Sequence, residues 1–279
     1  MIEKFYKVSD NCSKVTTKTY STSFSSAIRL LHRDMRQPIY NIYGFVRFAD
    51  EIVDTFHAYD KTVLLNEFKK ETYAAIERKI SLNPVLNSFQ QAVNEYSIDH
   101  KLVEAFFQSM EMDLEQRTYD SRDFSKYIYG SAETVGLMCL YVFCEGKKDL
   151  YEKLQSSAKA LGAAFQKVNF LRDIKADYND LSRMCFPGCD FNNFTEQDKK
   201  QIEAGIHKNF KEAYQGILKL PMKSRFGVYV AYKYYLSLFK KIKNLEPAKV
   251  LETRIRIPDY KKAMIVFRAG VKNQLGLIG

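Results

Sequence analysis

The sequence predicts a single, all-helical domain, and three observations point that way. Segments with helical periodicity follow one another almost without interruption. Glycine (12) and proline (6) are too scarce in 279 residues for the many turns of a sandwich or barrel. No repeat, low-complexity tract or Gly/Ser/Pro-rich linker divides the chain, so residues 1–279 read as one unit.

Taken in order, the helical runs are 37–56, 61–79, 85–94, 99–118, 123–145, 149–177, 196–218, 222–245 and 258–273. Pro38 suits the first turn of the first run, where its missing N–H costs nothing. Asn83-Pro84, Gly146 and Pro247 mark local breaks. Only 180–195, DLSRMCFPGCDFNNFT, reads as a true loop, and Thr195 is placed to cap the helix starting at Glu196.

Hydrophobic residues make up 46% of the chain, enough for a sizeable core, and the formal net charge is +10. A basic protein attracts anions of any kind, including nucleic acid, anionic lipid and phosphorylated substrates. The lysine pairs Lys199-Lys200, Lys240-Lys241 and Lys261-Lys262 read as solvated helix faces. The five cysteines have no zinc-type or disulfide-framework spacing. Reduced thiols, the absence of an apolar leader in MIEKFYKVSDNCSK and the lack of any run of 18 apolar residues suggest a cytoplasmic chain without a spanning segment. The four histidines form no cluster and receive no role, and no nucleic-acid-binding motif appears.

Two polar stripes break this pattern. In PIYNIYGFVRFADEIVDTF (38–56), Tyr43, Arg47, Asp50 and Asp54 lie at offsets 0, 4, 7 and 11. At about 100° per residue they share one face. LGAAFQKVNFLRDIKADYND (161–180) repeats the design with Gln166, Asn169, Asp173 and Asp177, flanked by Arg172. A like-charged i,i+4 pair costs an isolated helix only about 0.2–0.5 kcal/mol, so one pair could be an ordinary solvated face. Two pairs in aromatic-rich helices are a different matter, because an unpaired buried carboxylate costs several kcal/mol. Something cationic belongs between them. Carboxylates with Asn and Gln, and no His or Cys, are hard oxygen donors that suit magnesium shared with substrate phosphates. Arg47 and Arg172 suit the phosphate oxygens.

These residues resemble the squalene/phytoene synthase family over about residues 20–265. RFADEIVD (47–54) looks like its first aspartate-rich motif and QKVNFLRDIKAD (166–177) like its second. SFSSAIRLLHRDMR (23–36) and EMDLEQRTYDSRDFSKYIYGSAETVGLM (111–138) resemble two further family segments, and Arg183 with Pro187 matches the turn after the second motif. The sequence departs from the family pattern at Tyr20, where His is frequent, at Glu133, where Gly is frequent, and at Cys185, where Tyr is usual.

The resemblance implies an isoprenoid-synthase helical domain around a deep apolar cavity with the aspartates at its mouth. It implies a prenyltransferase that joins two prenyl diphosphates head to head through a cyclopropylcarbinyl diphosphate. Asp50, Asp54, Asn169, Asp173 and Asp177 would hold magnesium, for which manganese can substitute. Ser21, Ser23, Arg47, Arg172, Gln166, Tyr235 and Arg254 would bind substrate diphosphate, and Tyr43 and Tyr127 would face the reaction centre. The segment YIYGSAETVGLM, together with small residues near the stripes (Gly44, Ala49, Ser131, Ala132, Gly136, Gly162, Ala163, Ala164), favours geranylgeranyl diphosphate and phytoene without NADPH. The alternatives are a C30 squalene or dehydrosqualene synthase using farnesyl diphosphate, and a non-catalytic homologue that scaffolds a partner. Apolar products and basic composition suggest reversible attachment to an anionic membrane, with Lys240, Lys241, Lys261 and Lys262 as contacts, near downstream carotenoid enzymes. No nucleic-acid partner is expected.

Overall fold

The structure is a computed structural model that describes residues 1–115, 119–179, 186–189, 194–252 and 255–278; the side chains of 175–179 and 252 lie outside this description. The protein is 82% helical, with no strand among the described residues, as the periodicity requires. The helices are α1 (Ile2–Tyr20), α2 (Thr22–Ile28), α3 (Arg33–Thr55), α4 (Lys61–Arg78), α5 (Pro84–Tyr96), α6 (His100–Glu115) and α7 (Ser121–Ile128). They continue with α8 (Thr134–Cys144), α9 (Lys148–Asn179), α10 (Glu196–Ile217), α11 (Met222–Lys243), α12 (Pro247–Glu252) and α13 (Asp259–Gln274).

Each of the nine expected runs is helical over most of its length, and the differences have physical causes. α3 starts at Arg33, so Pro38 sits inside the helix and not in its first turn. The expected 123–145 helix carries a π-helical turn at Tyr129–Glu133, where Gly130 is pressed against α6: a Cβ there would lie 2.4 Å from the Ala105 carbonyl oxygen. Such turns frequently accompany functional sites. Thr195 caps α10 in a reciprocal capping box with Asp198. The rest of the 180–195 stretch, apart from 186–189 and Phe194, lies outside the described residues, as do Arg183 and Cys185.

Helix α1 is absent from the sequence reading because its buried face is polar. Ser9, Ser13 and Thr17, four residues apart, are fully buried. Ser13 Oγ lies 2.6 Å from Ser88 Oγ, and Asn87 Nδ2 donates to Ser9 Oγ at 2.9 Å. Gly44 on α3 completes the contact, since a Cβ there would lie 2.5 Å from Ser13 Oγ. Gly44 therefore serves helix approach and not cavity width.

The opposite face of α3 is fixed by aromatic packing. Phe45 stacks on Phe89 with ring centroids 3.9 Å apart, and Phe68, Phe106 and Phe107 surround it. With that face committed to the core, the Tyr43/Arg47/Asp50 face must look elsewhere. The run Ser121–Cys144 has the length and composition to cross a membrane, yet 61% of its apolar window is buried in the protein, so it is packed as a core helix. Lys199 also departs from the solvated reading. It is 2% exposed, paired with Glu203 at 2.5 Å, and donates to the Lys243 carbonyl at the end of α11.

Candidate active site

A cavity of about 420 Å³ opens between α2, α3, the π-turn, α8, α9, α10 and α11. Its polarity is graded along the helices that line it. On α9 the lining residues run from Leu154 through Leu161 and Phe165 to Gln166, Asn169 and Arg172. That is about 27 Å of helix, apolar at the start and polar at the end. α3 shows the same gradient, from Ile39 and Ile42 to Tyr43, Arg47 and Asp50. The two sequence stripes therefore meet at one end of one cavity, although they are separated by more than a hundred residues.

At that end, Ser21 breaks the chain between α1 and α2. Its Oγ accepts the Phe24 N–H as an N-cap and is hydrogen-bonded to Tyr43. Tyr43 is pushed up to about 12, by burial first and then by Tyr235 and Asp50, against the opposing effects of Arg47 and Ser21. It is a neutral phenol at physiological pH. Tyr235 stacks on Phe165 at 3.8 Å, and burial raises it while Arg172 and Asn169 lower it. Phe24 contacts Tyr43, Phe165 and Tyr235 together, so the polar end has an aromatic floor.

Asp50 is a strongly perturbed carboxyl. Burial, and then the neighbouring Asp54, Asp113 and Glu51 charges, push it up to about 8; Arg47 opposes them. Burial by itself would lower Arg47, but its bond to Glu51 and the nearby Asp50 charge raise it. Its guanidinium stacks 4.3 Å from the Tyr20 ring centroid, and its Nε is buried with no hydrogen-bond partner. Asn169 Oδ1 is likewise buried and unpartnered, while Asn169 Nδ2 reaches Gln166 Oε1 at 3.4 Å. An unpartnered donor and an unpartnered oxygen, flanking a carboxyl starved of positive charge, fit an anion and a cation bound together. No group of three or more His, Cys, Asp or Glu is close enough to form a ready-made metal cage among the described residues. A metal would complete its shell with water and substrate oxygens, as magnesium does.

Not every expected residue lines the cavity. Asp54 lies one turn beyond Asp50, close enough to raise it, and Asp173 lies one turn beyond Asn169. Asp173 accepts from Arg172 Nε at 3.0 Å and from a terminal guanidinium nitrogen at 2.5 Å, so these two residues are bonded to each other. Ser23 is half-buried and does not line the cavity. The Asp177 side chain and Arg254 fall outside the described residues. Tyr127 lines the cavity and donates to Asp113 Oδ2 at 2.9 Å, while Tyr119 donates to Asp113 Oδ1 at 3.1 Å.

Asp113 has no place in the sequence reading of the site, although it stands in the quoted EMDL segment. It is on neither stripe, and only the fold brings it beside Asp50. Tyr20 and Glu51 escape for a similar reason, since they act through Arg47. Of the small residues, Ser131, Ala132, Gly136 and Gly162 do line the cavity, whereas Ala49, Ala163 and Ala164 are buried in the core.

The sequence model of the squalene/phytoene synthase family matches residues 17–261. The chain belongs to that family. It is therefore a prenyltransferase of the group that condenses prenyl diphosphates head to head. It is 28% identical to a phytoene synthase of Arthrospira platensis over 278 residues, covering 91% of this chain and 89% of that one. It is 29% identical over 168 residues to a presqualene diphosphate synthase of Rhodopseudomonas palustris, covering 60% of this chain and 58% of that one. A crystal structure of a ligand-bound dehydrosqualene synthase superposes with a TM-score of 0.81 at 19% identity, over 96% of this chain and 98% of that one, a likeness of fold.

Proposed function

We propose that this protein condenses two molecules of geranylgeranyl diphosphate, head to head, to phytoene through a cyclopropylcarbinyl diphosphate, without a reductant. The observation that carries the reading is the graded cavity, with diphosphate-type and metal-type groups at one end and an apolar tunnel lined by small residues at the other.

Asp50, Asp54, Asn169, Asp173 and Asp177 are the residues that would hold magnesium or manganese. The bound metal would supply positive charge to the departing diphosphate. Arg47, Arg172 and Gln166 would bind the diphosphate oxygens, with Ser21, Ser23, Tyr235 and Arg254 around them. For Arg172 and Asp173 this means exchanging their mutual bond for one ligand each. The apolar walls exclude water, which would quench a carbocation, and the faces of Tyr43, Phe165 and Tyr235 stabilise positive charge. A Tyr43 hydroxyl pushed up to about 12 stays protonated and offers no phenolate base near neutrality, which favours the departing diphosphate as the final proton acceptor.

The C30 reading, with farnesyl diphosphate as substrate, is kept because the Rhodopseudomonas palustris relative is a presqualene diphosphate synthase. The enzyme would work at an anionic membrane surface on the cytoplasmic side and pass its product to carotenoid enzymes. The test is purified protein with magnesium and each diphosphate separately, with and without NADPH, the hydrocarbon being identified by mass. Phytoene from geranylgeranyl diphosphate without NADPH is expected. Preference for farnesyl diphosphate, or dependence on NADPH, would move the assignment to the C30 branch, and no hydrocarbon from either would leave the scaffolding alternative.

A further inference from the structure

Helix α13 has two apolar faces where a surface helix needs one. Its inner face is satisfied: Ala269 is buried, and Ile265 and Val266 pack against the core. Its outer face carries Tyr260, Met264, Phe267 and Val271 at offsets 0, 4, 7 and 11, a single stripe by the arithmetic applied to the aspartates. Tyr260 is 64% exposed and Phe267 72%, and Leu275, 67% exposed, extends the stripe past the helix end. Scattered exposed apolar residues are ordinary, but an aligned stripe of five is not.

The charge around the stripe is of one sign. Lys261, Arg268 and Lys272 are exposed along one flank, and α13 has no carboxylate after Asp259. Lys240 and Lys241 at the end of α11 share a shallow groove with Lys261. Burial, and then the charges of Lys272 and Lys240, lower Lys233, so the cations are dense enough to repel one another. The face is also held rigid. Lys262 donates to Thr22 Oγ1 at 2.9 Å, Lys241 to the Arg256 carbonyl at 2.8 Å, and Arg225 to the Ile278 carbonyl at 3.2 Å. Lys241 and Lys262 are thus engaged as tethers, which leaves Lys240, Lys261, Arg268 and Lys272 to meet an anionic partner. Thr22 adjoins Ser21, so α13 is anchored beside the polar end of the cavity.

We propose that the outward face of α13 docks on an anionic lipid bilayer, with Tyr260, Met264, Phe267, Val271 and Leu275 entering the acyl boundary and Lys261, Arg268 and Lys272 meeting the headgroups. An apolar stripe alone would suit a second copy of this chain equally well. The one-signed basic flank disfavours that, because a two-fold contact through this face would bring like charges together, whereas an anionic bilayer complements stripe and flank at once. This rests on the membrane location proposed above and adds the surface that makes the contact; its readout is binding and not turnover, and binding through another face would leave the location standing while removing this surface.

The chain contains no tryptophan, so F267W introduces a single indole at the centre of the stripe. With phosphatidylcholine vesicles containing phosphatidylglycerol, its emission should shift to the blue and be quenched when the acyl chains are brominated. M264D/F267D should weaken vesicle binding of the full chain by roughly tenfold or more. R268E/K272E should weaken it and flatten its salt dependence. Vesicle binding by F267W without quenching would overturn the proposal, because another face would then be the contact. A wild-type chain that ignores anionic vesicles at low salt, or a dimer that M264D/F267D converts to monomer in the absence of lipid, would also overturn it. If M264D/F267D fails to fold, as judged by circular dichroism, the quenching experiment and R268E/K272E still decide the matter.

Discussion

Replacing Asp50 with Asn should stabilise the metal-free protein, and the gain should depend on pH in a defined way. Asp50 has an ordinary value of 3.8 and is pushed up to about 8 in the fold, by burial and by Asp54 and Asp113. A carboxyl whose folded value is raised binds its proton more tightly when folded. Below about pH 4 it is protonated in both states and costs nothing. Between pH 4 and 8 only the unfolded chain ionises, so the folded state loses stability steadily as pH rises. Above about pH 8 the loss levels off. At pH 7, about one unit short of the folded value, the loss has an upper bound of about 4 kcal/mol. Asp50 is only half-buried, so solvent screening reduces this to about 2 kcal/mol. In a protein of this size that is about 4–8 °C in Tm. Thermal melts in EDTA from pH 4 to 9 should show the D50N and wild-type curves diverging across that window and running parallel above it. Magnesium with inorganic diphosphate should raise the wild-type Tm and leave D50N nearly unmoved. A constant gap between the two variants from pH 4 to 9 would refute the placement of Asp50 in a buried carboxylate cluster.

Asp173→Ala should lower kcat by about 10²–10³ or more with near-normal circular dichroism, since it removes charge from the reacting end and not packing from the core; turnover within a few-fold of wild type would contradict the metal-site reading. Asp113→Asn should move the Asp50-dependent melting step to lower pH, because the Asp113 charge helps to raise Asp50, and should reduce turnover as Tyr127 and Tyr119 lose part of their shared acceptor; a step that stays in place would remove Asp113 from the site. Lys199→Met should destabilise the protein by about 3–5 kcal/mol in urea unfolding, by leaving Glu203 buried without its partner; K199M/E203L should recover much of that loss.

The fold class and the two stripes were legible in the sequence for one reason. Helical periodicity and i,i+4 spacing are properties of neighbouring residues, and a helix converts them into a face without reference to the rest of the chain. Tyr43, Arg47 and Asp50 on α3, and Gln166, Asn169 and Arg172 on α9, are in this class. Helix α1 was not legible, because its buried face of Ser9, Ser13 and Thr17 carries hydroxyls that only the partners Ser88 and Asn87 make suitable for burial. Lys199 was misread for the complementary reason: its partner Glu203 is local, but the Lys243 carbonyl that completes its burial belongs to another helix. The outward stripe of α13 has the same periodicity as a core-facing one, and only the packed structure shows that Ile265, Val266 and Ala269, not Phe267, face inward. Asp113 is the sharpest case. Nothing within its own segment distinguishes it from a surface aspartate, and its effect on Asp50 arises only because α6 is packed beside α3 and holds a second carboxyl against the first. Local order was written in the sequence; the electrostatic coupling between distant side chains came from the tertiary packing, because Coulomb interactions depend on distance in space and not along the chain.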